Sequence, residues 1–151
     1  AYNWYPGLSE RSSNVGTYTI SIPKIEIKNA VVSNEDSDLT KHMVQYNSDT
    51  FPSKEGNSVI FGHSTLPQLY DPKNYKTILA NAYKLAVGDE IIVNLEKEQY
   101  SYIINSVTVV ESEDTSVLAQ NFSDSFITII TCTPPGTVWK RLVIKARIKK
   151  I

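Results

Sequence analysis

The chain has 151 residues, 41% hydrophobic and 21% charged, which suits one globular domain and excludes disordered, collagen-like and helical membrane-spanning classes. Its 15 basic and 16 acidic residues leave a formal charge of -1, so no global field draws it to nucleic acid or to anionic lipid. No apolar run approaches the roughly 18 residues that a membrane span needs, and the N-terminus shows neither an initiating Met nor a signal-peptide pattern, as expected of a processed fragment.

Residues 1–16 carry Tyr2, Trp4, Tyr5 and Pro6 before a Ser/Asn-rich stretch, which reads as an N-terminal arm with aromatic anchors. From Thr17 the pattern turns to β. Tyr18, Ile20 and Ile22 alternate with polar residues, Pro23 interrupts, and Ile25 and Ile27 resume, predicting two short strands with a kink between them. The polar, turn-rich residues 33–57 predict a long connection with one helical turn near 39–43. The β-branched run 58–61 then predicts a buried strand that delivers Gly62 and His63 at its mouth.

Asp71 before Pro72, followed by Tyr75, Ile78, Leu79 and Ala82 at helical spacing, predicts a helix. Gly88-Asp89 marks a turn into strands over 90–95 and 100–110. Residues 114–120 predict a helical turn capped by Asp114 or Thr115. The strongest strand signal is 126–132, and a Pro/Gly-rich loop over 133–140 leads to a last strand over 141–148. There Leu142, Ile144, Ala146 and Ile148 face inward, while Arg141, Lys145 and Arg147 face out. The sum is a mainly β fold, a closed or nearly closed β-barrel of about eight strands with only one or two short helices.

Cys132 is the sole cysteine, so an internal disulfide and a Cys-rich metal site are both excluded. A lone thiol usually packs as a small buried hydrophobe, but this one ends a strand beside a proline-rich loop. To act as a nucleophile it needs a cation nearby, because an unperturbed thiol near pKa 8.5 is mostly neutral at pH 7. Two partners suggest themselves. If the last two strands pair across their loop, Arg141 stands close to opposite Cys132 with a permanent charge in a surface groove. His63, also at a strand end, can support a thiolate as imidazolium and later protonate a departing amine. Alone, a strand-end His or an outward Arg is ordinarily a solvated residue; together with Cys132 they form a complete catalytic set.

These residues also carry a family resemblance. The run TIITC resembles the sortase signature Thr-Leu-x-Thr-Cys, with Ile129 in place of Leu, a volume-conserving change. TPPGTVWKRLVIKARI resembles the loop and strand that bring the family's arginine, Gly62-His63 after NSVIF its Gly-His segment, VGDEIIV its mid-chain turn and strand, and TYTISIPKIEIKNAVV its opening strands. The similarity runs through residues 17–148, so that 17–151 would be the catalytic domain behind the arm. It implies a sortase-like barrel and a cysteine transpeptidase, with Cys132 as nucleophile, His63 as general acid/base, Arg141 as stabiliser of the oxyanion or substrate carbonyl, and Thr131 as a supporting residue on the substrate-binding side. The implied reaction cleaves an LPXTG-like sorting signal through a Cys thioacyl intermediate and passes the acyl group to an amine. The implied partners are sorting-signal-bearing surface proteins and an amine such as a peptidoglycan precursor or a pilin lysine. The implied setting is the extracellular face of a bacterial membrane, with attachment only through a segment outside this chain. The arm lacks an aspartate-plus-aromatic lid pattern, which favours an anchoring or accessory class over pilus assembly.

Two further readings stay open from the residues alone: a hydrolytic cysteine protease, although no papain-like or caspase-like pattern is present, and a non-enzymatic extracellular β-domain with a buried thiol. No cofactor is expected. Glu111, Glu113 and Asp114 offer oxygen ligands of the kind calcium takes, but without ligand-loop spacing they read as a solvated acidic turn. His42 reads as a solvated loop residue, and Ser64 and Thr65 lack a nucleophile elbow.

Overall fold

The computed structural model describes residues 17–47 and 49–149; the arm expected over 1–16 lies outside the described residues. Eight strands close into a barrel: β1 (Thr17–Ile22), β2 (Ile27–Ser33), β3 (Met43–Gln45), β4 (Gly56–Phe61), β5 (Glu90–Leu95), β6 (Glu98–Glu111), β7 (Ser125–Thr133) and β8 (Lys140–Ile148), in spatial order β1-β2-β3-β4-β7-β8-β6-β5. The kink at Pro23 is a 3-10 turn over Pro23–Ile25, placed as expected between the first two strands. All helical segments among the described residues are three-residue 3-10 turns.

Two elements differ from the sequence expectation. The connection over 33–57 contains β3, only three residues long, which pairs parallel with β2 and antiparallel with β4; so short a run carries no readable period. Near 39–43, where one helical turn is expected, the chain makes a single hydrogen-bonded turn, with Lys41 N–H donating to Asp38 O over 3.1 Å. The helix expected from Asp71 is likewise a chain of turns, with 3-10 segments at Tyr75–Thr77 and Ala82–Lys84. Side chains there compete for the backbone. Asn74 Oδ1 accepts from Lys76 N–H at 3.0 Å, and Thr77 Oγ1 donates within reach of Asp71 O at 3.0 Å and Asn74 O at 2.9 Å. Leu79 N–H leaves the local ladder altogether and donates to His63 O over 2.9 Å. The apolar spacing is nonetheless used, since Ile78, Leu79 and Ala82 pack into the main core.

That main core fills the barrel, with Ile20, Ile22, Ile60, Ile91, Tyr102, Ile104, Ile127, Ile129 and Ile144 almost wholly buried. A second apolar cluster lies on the outer face of β3, β4, β7 and β8, built from Val44, Val59, Phe61, Ile130, Cys132 and Val143 under Leu39 and Val117. The strand over 125–133 is thus buried on both faces, which explains why its sequence is β-branched almost throughout rather than an apolar/polar alternation, with the hydroxyls of Thr128 and Thr131 bonded internally. Asn57 fastens the covering loop: its amide N–H donates to Gln120 Oε1 at 2.9 Å, its Nδ2 to Ala119 O at 3.1 Å, and its Oδ1 accepts from Thr128 Oγ1 at 2.6 Å. His42, expected in solvent, is buried instead, with its ring nitrogens 2.7 Å from Met43 O and 3.0 Å from Asp36 Oδ1. This contact pins the loop that carries Leu39.

Gly62 is required by packing where β4 ends. A Cβ at this position would stand 2.6 Å from Leu79 Cδ1 and 3.1 Å from Met43 Cγ, both in the filled core. Gly62→Ala is expected to destabilise the fold by about 1–3 kcal/mol through overpacking, read as a lower midpoint in thermal or urea unfolding; an unchanged midpoint would show that Leu79 moves aside without cost.

Candidate active site

Each of the site side chains is placed by strand register. In the antiparallel β7–β8 pair, Cys132 is directly opposite Arg141. Inward positions on these strands, Ile127, Ile129, Leu142, Ile144 and Ala146, fill the barrel, so Ile130, Cys132, Arg141 and Val143 share the outer face. In the parallel β4–β7 pair the register is Phe61 against Ile130, and Gly62 N–H continues it by donating to Ile130 O over 3.3 Å. His63 therefore follows β4 where Cys132 follows on β7.

Three hydrogen bonds fix that juncture. Thr131 Oγ1 donates to Gly62 O at 2.7 Å, Ser64 Oγ donates to Cys132 O at 2.9 Å, and Leu79 N–H donates to His63 O at 2.9 Å. Thr131 is fully buried, and its hydroxyl is committed to the backbone beside His63. The bond from Ser64 was not legible in the sequence, because only the parallel pairing brings it to β7.

Arg141 points outward as its alternation requires, yet it does not lie in an open groove. Only 5% of it is exposed, and Nη1 donates to Val138 O at 3.1 Å and to Lys140 O at 3.3 Å. The second apolar cluster and the loop after β7 bury the outer face at this point, which the two-fold pattern of β8 does not reveal. Cys132 is 7% exposed and is the only cysteine. It borders a crevice of about 10 Å³, room for about one water, lined by Ser64, Leu79, Tyr83, Thr131, Pro135 and Leu142 among others.

Burial pushes the Cys132 thiol above its usual range, and the Arg141 guanidinium opposes that shift. His63, half-buried, is held below the usual imidazole range by desolvation first and by the Lys76 charge second, with Asp38 acting in the other direction. Asp38 is itself kept ionised by hydrogen bonds from the Thr40 hydroxyl and N–H at 2.6 Å and 3.0 Å. With the thiol moved up and the imidazole moved down, the uncharged pair predominates at neutral pH in the free protein.

The acidic residues at and after the end of β6 have local work: Glu111 accepts from Lys140 Nζ at 2.8 Å, and Asp114 Oδ1 accepts from Ser116 N–H at 2.9 Å at the turn over Ser116–Leu118. Among the described residues no three His, Cys, Asp or Glu side chains converge as a metal site would.

The sortase domain profile matches residues 20–149, nearly the whole barrel. The chain belongs to the sortase family. Sortase D of Bacillus subtilis (strain 168) is 26% identical over 129 residues, covering 83% of this chain; the chain spans only 60% of that relative's length. Among solved structures, a Clostridium perfringens Sortase D5 transpeptidase superposes with a TM-score of 0.75 at 29% identity, covering 95% of this sortase and 84% of the other chain. Sortase A from Corynebacterium diphtheriae gives 0.74 at 26% identity, covering 94% and 64%. The resemblance read from TIITC, the Gly-His segment and the closing strand is thereby established at the level of family and fold.

The opposed effects on the two titrating groups give a prediction that needs no substrate. Replacing Arg141 with Met removes the charge that favours the thiolate, so iodoacetamide alkylation of Cys132 should rise at higher pH than in the wild type, while Arg141→Lys should shift it less. Lys76→Gln should move the His63 titration, followed by NMR, upward toward the ordinary imidazole value. Identical titration curves would mean that neither cation acts on the site.

Proposed function

We propose that this sortase is a cysteine transpeptidase that cleaves an LPXTG-like sorting signal and transfers the acyl group to an amine, with Cys132, His63 and Arg141 as its catalytic residues. The observation that carries this reading is the pair of strand registers that sets Cys132 opposite Arg141 and brings His63 alongside. Cys132 Sγ, as thiolate, attacks the carbonyl carbon of the Thr–Gly bond. The developing oxyanion is met by the guanidinium of Arg141, whose effect is enlarged by burial. Collapse breaks the C–N bond, the leaving amine takes its proton from the His63 imidazolium, and a Cys132 thioester remains. An incoming amine then attacks the thioester, gives its proton to His63 and releases the thiolate.

Thr131 and Ser64 serve this chemistry as positioning residues, since both tie the segment Gly62 to Ser64 onto β7 through hydrogen bonds. With the crevice beside Cys132 no larger than about one water, a peptide has to part the walls formed by Tyr83 and Pro135. Transfer in place of hydrolysis depends on the amine reaching the thioester before water does. The donors are surface proteins that bear the signal; the acceptor is a peptidoglycan precursor or a pilin lysine, and the place of action is the outer face of a bacterial membrane. Residues 17–151 form the catalytic domain, of an anchoring or accessory class rather than a pilin-polymerising one.

One observation favours a second reading: a thiol only 7% exposed fits a β-domain with an inert cysteine. The two separate cleanly. Mixed with LPXTG-type peptides, the enzyme should gain the mass of the acyl fragment on Cys132, and an added amine should convert the product from acid to amide. Cys132→Ala should form no adduct. Arg141→Ala should lose about 100- to 1000-fold in kcat, as for removal of an oxyanion donor. Because the active form combines thiolate and imidazolium, kcat/KM should follow a bell in pH that disappears in His63→Ala. Absence of any adduct across a peptide panel, with Cys132 resistant to alkylation in the folded protein, would favour the inert domain.

A further inference from the structure

A cleft of about 440 Å³ opens between the turn over Pro23–Ile25 and the connection from β4 to β5, lined by Lys24, Glu26, Gln68, Tyr70, Asn81 and Lys84 among others. Two contacts hold its walls together. Tyr70 Oη donates to Glu26 O at 2.8 Å, tying the connection to the turn, and Lys24 Nζ is spent on Asp89 Oδ2 at 3.1 Å. The other polar side chains are unspent. Among the described residues the Glu26 carboxylate, the Lys84 ammonium and the amides of Gln68 and Asn81 make no side-chain hydrogen bond or ion pair, and Lys84 Nζ rests 5.8 Å from the Tyr83 ring centroid.

Neighbouring residues divide this cleft from the crevice beside Cys132. Tyr83 lines the crevice and Lys84 the cleft. On the other wall Leu66 packs on the loop after β7, where a Cβ on Gly136 would stand 2.8 Å from Leu66 Cδ2, while Pro67 lines the cleft. The same connection supplies Ser64 to the crevice, where its hydroxyl donates to Cys132 O at 2.9 Å.

Size and charge together argue the occupant. A cavity of this volume suits a ligand of a few residues, not a folded domain. One unspent charge of each sign, with two primary amides that each donate and accept, complements a peptide end that carries a carboxylate, an ammonium and an amide bond. A polyanion or an anionic lipid meets Glu26 as a like charge. A chain of two or three residues extends about 7–10 Å, which spans a single side chain such as Tyr83.

We propose that this cleft holds the amine acceptor, a short peptide ending in a residue with both a carboxylate and an ammonium. The carboxylate lies on Lys84, the ammonium on Glu26 and the amide on Gln68 and Asn81, and the free N-terminal amine turns past Tyr83 to the Cys132 thioester. That last step rests on the transpeptidase reading: the amine nitrogen bonds to the acyl carbon, the C–S bond breaks with its electron pair left on Cys132 Sγ, and the amine proton passes to His63. The proposal selects a free peptide over a lysine on a folded domain, which brings no terminal carboxylate with it.

The probe is the tripeptide Gly-Gly-Lys, offered to the 151-residue chain with an LPXTG-type peptide as donor. An amide joined through the N-terminal glycine should form, and Glu26→Gln and Lys84→Gln should each raise the KM for the tripeptide by about fivefold. Changes to the probe carry the same test without touching the protein. Its C-terminal amide should bind more weakly and become indifferent to Lys84→Gln, and its Nε-acetyl form indifferent to Glu26→Gln. Titrated alone, the tripeptide should move the NMR amide signals of residues 24–26, 68–70 and 81–84. Both substituted side chains are exposed, so unchanged thermal midpoints would show that the folds are intact. The two readings fail in different ways. No adduct on Cys132 with any donor overturns the transpeptidase reading, and the acceptor role with it, even where the tripeptide shifts those signals. A normal adduct and amide product, with an acceptor KM that ignores both variants and both probe changes, overturns the cleft alone. An effect on the donor KM instead would give the cleft to the sorting signal, and likewise overturns the proposal.

Discussion

The structure around the site depends on β7 being paired on both sides, parallel to β4 and antiparallel to β8. Parallel pairing makes two strands end on the same rim, so that the residues after Phe61 and those after Ile130 emerge side by side. Antiparallel pairing brings the start of β8 back to the same rim and sets Arg141 against Cys132. Three chemically distinct groups, two on consecutive strands and the third remote in the chain, are thereby brought to one rim by backbone hydrogen bonds before any side-chain preference enters. The bonds from Thr131, Ser64 and the Leu79 amide then remove the slack that a strand end would otherwise have.

The second apolar cluster decides the electrostatics of that rim. By covering the outer face of β4, β7 and β8 with Leu39 and Val117, it takes Cys132 and Arg141 out of water without moving them into the barrel. Desolvation raises the energy of an isolated thiolate, and the adjacent guanidinium acts in the same low-dielectric surroundings, where its charge counts for more than it would in solvent. His63 is subject to the same desolvation. It is half-buried, and desolvation first and the Lys76 ammonium second hold it below the ordinary imidazole range against the opposing Asp38 carboxylate. The cover is itself held by polar contacts, Asn57 on one side and His42 on the other, so the setting of the thiol is controlled by residues that never approach it.

Much of this was legible in the sequence, for physical reasons that differ by element. Strands β1, β2, β5, β6, β7 and β8 announce themselves because one or both faces are buried and β-branched residues mark the pattern. The chain order of Gly62-His63, Cys132 and Arg141, with strong strand signals before each of them or through it, was enough to propose a shared rim. What escaped was set by tertiary contacts. The stretch after Asp71 has helical spacing, but Asn74, Thr77 and the bond from Leu79 to His63 O divert its backbone. β3 is too short to show a period, and its value lies in bridging β2 to β4. The burial of Arg141 and His42 came from covering loops, whose path polar, turn-rich sequence does not encode locally.

Closure of the barrel constrains how any peptide can be read. Every strand has a neighbour on each side, since β5 returns to β1 and β3 spans the gap between β2 and β4. Because β8 is paired along its length with β6 on one side and β7 on the other, an extended ligand cannot be added as a further strand against Arg141. At that rim the connecting loops are free to diverge in length and composition while the hydrogen-bonded frame beneath them, and the side chains it holds in register, stay as they are.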